Sequence, residues 1–133
     1  MMFDPLEAVI KWAADVTGAS AGVSLVPELD TGTGTLAYGN YVVVNRVGGE
    51  IDYPHDYPSF GFRVYAPTCD EAESLAYQLA LTASSPVDPK TPVKYDEHFV
   101  STGKPSLFSY GTTDDGGFYI WECDITFVVN LLG

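Results

Sequence analysis

At 133 residues the chain has room for one ordinary domain and too little length for two independent cores. Its residues are 46% hydrophobic and 18% charged, a composition that buries a core and excludes wholesale disorder. Eighteen acids against six bases set a formal charge of −12, and such a surface repels nucleic acid and anionic lipid.

No stretch approaches the roughly 18 to 20 continuous apolar residues of a membrane helix. The opening Met1-Met2-Phe3-Asp4-Pro5 lacks a basic region followed by an apolar run, so the expectation is folding in the cytosol that makes the chain. The two cysteines, Cys69 and Cys123, form no CxxC and have no paired histidine spacing beside them. They are expected as small buried hydrophobes, without a disulfide or a zinc site.

The first predicted helix begins at Asp4. That residue caps it, Pro5 sits in the first turn where its missing N–H costs nothing, and Glu7 completes a capping-box spacing. Leu6, Val9, Ile10, Ala13 and Val16 recur at helical spacing, and Gly18 supplies a stop. Trp12 lies off the centre of that stripe, either as a packing residue at the core edge or as an anchor for a neighbouring subunit.

Ala21 to Val26 reads as a short strand ended by Pro27, and residues 27–40 as a polar Thr/Gly loop. Tyr41 to Val47 is a strand whose Val42-Val43-Val44 run suits a buried sheet position, with a break at Gly48-Gly49. Residues 50–58, with two Tyr-Pro dipeptides, are expected as an ordered loop outside the sheet. Phe60, Phe62 and Val64 alternate along the next strand, with Arg63 and Tyr65 on its other face.

Thr68 and Glu71 have capping-box spacing, with Asp70 placed to complement the helix dipole. Ala72, Leu75, Ala76, Leu79, Ala80 and Ala83 then line one face, a narrow stripe fit to lie close on a sheet. Residues 86–117 are expected to be largely connecting chain, with one further strand between Glu97 and Tyr110. The last strand alternates, with Tyr119, Trp121, Cys123, Ile125, Phe127 and Val129 on one face and Glu122, Asp124 and Thr126 on the other. The order predicts one α+β domain over residues 1–133, a mixed or antiparallel sheet with two helices packed on one face.

Three motifs invite chemistry. Asp30-Thr31-Gly32 matches the triplet of aspartic proteases, whose paired carboxylates share a proton. Those enzymes are nearly all strand and this chain has two capped helices, so a turn held by an Asx interaction is the better account. Gly32-x-Gly34-x-x-Ala37 formally matches a dinucleotide fingerprint, but Tyr38-Gly39-Asn40-Tyr41 opens no helix. His55 between Asp52 and Asp56, and His98 after Asp96-Glu97, lack the ligand spacing of a metal site and are expected at the surface. The reading is of a structural protein without catalytic residues, cofactor or metal.

One combination is distinctive. Val42-Val43-Val44-Asn45-Arg46-Val47-Gly48-Gly49-Glu50 is followed by Ser59-Phe60-Gly61-Phe62-Arg63-Val64-Tyr65-Ala66, then by the Thr68-x-Asp70-Glu71-Ala72-Glu73-x-Leu75-Ala76 helix start. With the opening Asp4-Pro5-Leu6-Glu7-Ala8-Val9 and the closing alternating strand, this resembles the tail-terminator and minor-capsid (neck) proteins of long-tailed bacteriophages. The resemblance covers most of the chain, with the loops at 27–40 and 86–117 outside it.

It implies an α+β subunit in a six-membered ring that caps the tail tube, ends tube polymerisation and meets the head. The implied partners are further copies of the chain, the tail-tube protein and a head-completion or neck protein. DNA would pass without specific binding, no membrane is involved, and the protein would be assembled in the host cytoplasm into the virion. Tyr53, Tyr57 and Trp12 are the candidate subunit or partner contacts. Asp114 and Asp115 are expected at a loop tip, either solvated or facing the ring lumen. The rival readings are another head-completion, neck or tail-tube protein of the same gene block, and an acidic DNA mimic that occupies a nucleic-acid enzyme.

Overall fold

The computed structural model describes residues 4–23, 40–84, 98–102, 105–112 and 119–132. In chain order these form α1 (Pro5–Thr17), β1 (Ser20–Gly22), β2 (Tyr41–Asp52), β3 (His55–Ala66), α2 (Cys69–Ser84), β4 (Phe99–Thr102), β5 (Ser106–Thr112) and β6 (Tyr119–Asn130). The strands make one mixed sheet in the order β1-β2-β3-β6-β4, with β5 also on β6. Among the described strands only the β1–β2 pair is parallel; the others are antiparallel. This is the expected α+β architecture.

Both helices start where their caps predict. Asp4 Oδ1 accepts from the Leu6 amide at 3.0 Å, and Pro5 opens α1. Gly18 closes that helix at φ 71°, its amide donating to the Ala14 carbonyl at 2.8 Å. At α2, Thr68 Oγ1 accepts from the Glu71 amide at 3.2 Å. Ala72, Leu75, Ala76, Leu79 and Ala83 are buried beneath it, as the small-residue stripe predicts.

The two helices lie on the same face of the sheet. There Val9, Trp12 and Ala13 of α1 and the α2 stripe join Val42, Val44, Phe60, Phe62, Val64, Phe99, Cys123, Ile125, Phe127 and Val129 in one core. Period two explains the sheet's share, since every second residue of β3 and β6 falls on this face. The opposite face carries a small second buried cluster, Tyr41, Val43 and Tyr65 with Ile120 beside them.

Four expectations need correction. The strand expected over Ala21–Val26 is Ser20–Gly22, and residues 24–26 lie outside the described ones. Residues 50–58 are not a loop outside the sheet: β2 runs on to Asp52 and β3 starts at His55, leaving a two-residue turn at Tyr53-Pro54, whose peptide is cis. Gly48-Gly49 does not break β2 but passes a register shift between Arg46 and Gly48. Pro58 then sits inside β3, opposite Gly49, where neither Tyr57 nor Pro58 has a register partner on β6. A proline without an amide fits such a gap, and the rule that confines it to edges and bulges is obeyed locally. Finally, the expected loop at 86–117 contains two strands, β4 and β5, end to end along β6, where one was expected.

Candidate interaction surface

Among the described residues the outer edge of β2 is open over most of its length. β1 covers only Tyr41, Val42 and Val43 of β2, and burial follows that cover. Tyr41 to Val44 are buried, and every residue from Asn45 to Asp52 is exposed. Among the described residues no strand pairs with the outer side of β2 beyond Val43. On this stretch Val47 is 58% exposed, Ile51 65% and Tyr53, at the turn, 62%. Tyr57 of β3 is also exposed, its ring 6.5 Å from that of His55.

The turn that presents these side chains is pinned. The Leu131 amide donates to the Pro54 carbonyl at 2.9 Å, and the Asn130 amide to the His98 carbonyl at 2.7 Å. Arg46 grips the strand behind it: its Nη1 and Nη2 each lie 2.8 Å from an Asp56 carboxylate oxygen. Its Nε donates to the Gly48 carbonyl at 3.2 Å, across the register shift. The bond to Asp56 raises the guanidinium pKa against the opposing effect of burial. The edge therefore exposes two apolar side chains, Val47 and Ile51, on a firmly held strand.

On the face away from the helices, β6 sets Glu122 and Asp124 two residues apart, opposite Arg63 and Gly61 of β3. Arg63 Nε lies 3.5 Å from Glu122 Oε1. A Cβ on Gly61 would sit 3.2 Å from Asp124 Oδ1 and 3.5 Å from Glu122 Oε2, so the carboxylates crowd over that glycine. Asp124 Oδ1 is buried without a hydrogen-bond partner. The Asp124 carboxyl is pushed up to about 6, by burial first, then by its hydrogen bond and charge repulsion with Glu122. Next to them Ser59 and Thr126 share a 2.6 Å hydroxyl contact.

The sequence-predicted residues divide clearly. Tyr53 and Tyr57 are exposed together at one end of the hairpin. Trp12 is not a surface anchor: it is 2% exposed, edge-on to Phe62 at 5.6 Å and to Phe127 at 6.0 Å. The stripe is wide enough to take the indole because α1 packs on both α2 and the sheet. Asp30-Thr31-Gly32, Gly34, Ala37, Asp114 and Asp115 lie outside the described residues.

His55 and Asp56 do not gather into a cluster, since neighbours on a strand point to opposite faces and Asp56 is engaged by Arg46. Among the described residues no group of three or more His, Cys, Asp or Glu could hold a metal ion. Cys123 is buried, its thiol pushed up to about 12 by burial and then by the charges of Asp124 and Glu122. Cys69 is exposed, against expectation, because it occupies the outer side of the first turn of α2.

Two relationships were not foreseen. Arg46–Asp56 needed the hairpin register, which the Tyr-Pro dipeptides disguised. The Glu122–Asp124 crowding needed Gly61 opposite; the i, i+2 acids in an otherwise apolar strand were its one signal. The sequence matches no protein-family model and no curated protein.

Proposed function

We propose that this chain is a structural subunit of a long-tailed bacteriophage, a tail-terminator or neck protein that assembles as a six-membered ring on the tail tube. The ring ends tube polymerisation and offers the head-joining surface, while the acidic subunits let DNA pass without holding it. The observation that carries the reading is the exposure of Val47 and Ile51 along the unpaired stretch of β2 and of Tyr53 and Tyr57 at and beside the hairpin turn. Large apolar side chains left exposed along an unpaired strand favour a contact surface. The residue pattern over 42–80 and the α+β sheet with helices on one face agree with that family.

A closed ring needs one heterologous interface repeated around an axis. With −12 per copy, repulsion opposes association at low salt and is screened over about 10 Å at 0.1 M. Sedimentation velocity at rising salt should therefore move mass from monomer toward hexamer, with six-fold rings in negative-stain images. A monomer at every salt, with and without tail tubes, would sink the reading.

A further inference from the structure

We propose that the outer edge of β2, over Gly49 to Asp52, takes an extended segment of another protein as one more strand, a segment with lysine or arginine on both sides of an apolar residue. This goes beyond the ring reading and concerns a different partner. Every residue from Asn45 to Asp52 is exposed, and among the described residues no strand pairs with this side of β2 beyond Val43. Such an edge is a row of unpaired amides and carbonyls, the template on which an extended peptide adds.

The side chains along that edge decide what can be added. Phe60 and Phe62 point into the core. His55 and Tyr57, an odd number of residues away on the same strand, point to the face away from the helices. Residues paired in register share a face, which places Glu50 (opposite Tyr57) and Asp52 (opposite His55) there too. Ile51, opposite Asp56, lies on the helix side of the sheet and is 65% exposed. Successive positions of the edge are thus acid, apolar, acid, with both carboxylates on one face. Among the described residues neither carboxylate has an ion-pair partner, and the one base of β2, Arg46, is taken by Asp56.

The complement of this pattern is basic, apolar, basic. An added strand sends alternate residues to alternate faces. Two cations separated by one residue therefore meet Glu50 and Asp52, while the residue between them covers Ile51. Opposite charges directly across a strand pair stabilise it and like charges destabilise it, so the same two acids turn away acidic strands.

A further copy of this chain does not fit. No two of its six bases are separated by a single residue. A second β2 laid antiparallel about a two-fold axis at Glu50 or at Ile51 sets acid against acid. The occupant is a strand from a different protein.

The probe is a short fluorescent peptide, Ser-Thr-Lys-Val-Lys-Thr-Ser, titrated with the full chain at fixed salt and read by anisotropy and by backbone amide NMR. The native chain should bind it, with amide shifts concentrated at residues 45–52. A peptide of the same composition with its two lysines adjacent should bind about tenfold more weakly, since only one cation then reaches the acidic face. A peptide with glutamate for both lysines should not bind. Glu50→Lys with Asp52→Lys moves the formal charge from −12 to −8, each swap adding two. It should weaken the lysine peptide about tenfold or more and admit the glutamate one. Asp15→Lys with Glu73→Lys makes the same change of net charge at exposed helix positions and should weaken binding far less.

No binding of the lysine peptide overturns the proposal and leaves the acids as a guard on the edge. Equal binding of the two lysine peptides, equal loss in both charge variants, or amide shifts elsewhere overturns it in favour of general attraction to an acidic surface. The peptide comparisons use the native chain alone, so they decide the matter even where a variant fails to fold. Ring formation is read separately, by sedimentation without peptide, and its failure leaves this result standing.

Discussion

Arg46 and Asp56, ten residues apart in sequence, face each other across the β2–β3 hairpin through two 2.8 Å bonds. The carboxylate is almost buried and the guanidinium about a third exposed, so the pair is neither a solvated surface contact nor a fully dry one. Asp56→Ala leaves a partly buried cation without its fork-shaped partner and should cost about 1–3 kcal/mol in urea denaturation. Arg46→Lys keeps the charge but loses the two-pronged fit, so it should recover only part of that stability. Equal stability of Arg46→Lys and native protein would show the geometry to be dispensable.

Trp12→Ala distinguishes a core role from a contact role. The indole touches Phe62 and Phe127 edge-on inside the cluster that both helices close. Its removal should cost roughly 3–5 kcal/mol, a large part of a small domain's stability. Thermal melts should show a much lower transition or none. A variant that melts like native protein but assembles poorly would return Trp12 to the surface.

The two adjacent glycines of β2 should respond differently to alanine. Gly49 has φ 108° and an added Cβ would run into the Tyr57 carbonyl oxygen on β3. Gly48 has nothing within 4 Å of such an atom. Gly49→Ala should destabilise by at least about 1–3 kcal/mol, whereas Gly48→Ala should be near neutral. Chemical denaturation of the two variants side by side reads the difference, and equal effects would mean that the register shift relaxes.

Asp124 carries a pH signature. Its folded value of about 6 lies above its ordinary 3.8, so folding favours the protonated form. That contribution is fully present below about pH 4, fades as pH rises through about 6, and is constant beyond. Asp124→Asn removes the titration. The native melting temperature should therefore fall relative to the variant between pH 4 and 6.5, with Arg63 and Glu122 unchanged in both. A native protein that gains on the variant over that window would contradict the crowding over Gly61.

Tyr53→Ser and Tyr57→Ser should separate folding from association. Both rings are exposed, so stability should change by no more than about 0.5 kcal/mol. Assembly in sedimentation should weaken, more for the pair than for either alone. Unaltered assembly by the double variant would remove the hairpin end from the interface.

Much of the fold was legible because local physics and tertiary placement agreed. Asp4, Thr68 and Gly18 act at helix ends, where a side-chain oxygen or a positive φ settles the matter within a few residues. The alternation of Phe60-Phe62-Val64 and of Cys123-Ile125-Phe127-Val129 reports a buried face directly. The turn at Tyr53-Pro54 was illegible because proline signals an interruption, and only pairing with β2 and β6 shows that the strands resume at once. Trp12 stayed open between core packing and a subunit contact for a similar reason: a helix stripe has no sharp border, and its width depends on how many elements close over it. Of the candidate contacts, Tyr53 and Tyr57 are exposed, as side chains in an acidic, proline-containing segment are expected to be, whereas the open edge beside them is a property of backbone pairing that no side chain announces.

Among the described strands β6 holds the sheet together, pairing with β3, β4 and β5. Its partners on β3 precede it by roughly sixty residues, so their joining carries a high loop-closure cost and comes late in folding. During synthesis the β2–β3 hairpin and both helices emerge first, with the apolar face of β3 waiting for Cys123, Ile125, Phe127 and Val129. A ribosome-bound chain stalled before residue 119 should be protease-sensitive throughout, and one released with β6 should become resistant in a single step. For a sheet with an unpaired β2 edge this timing is protective: that edge belongs to a stable sheet only once β6 has joined.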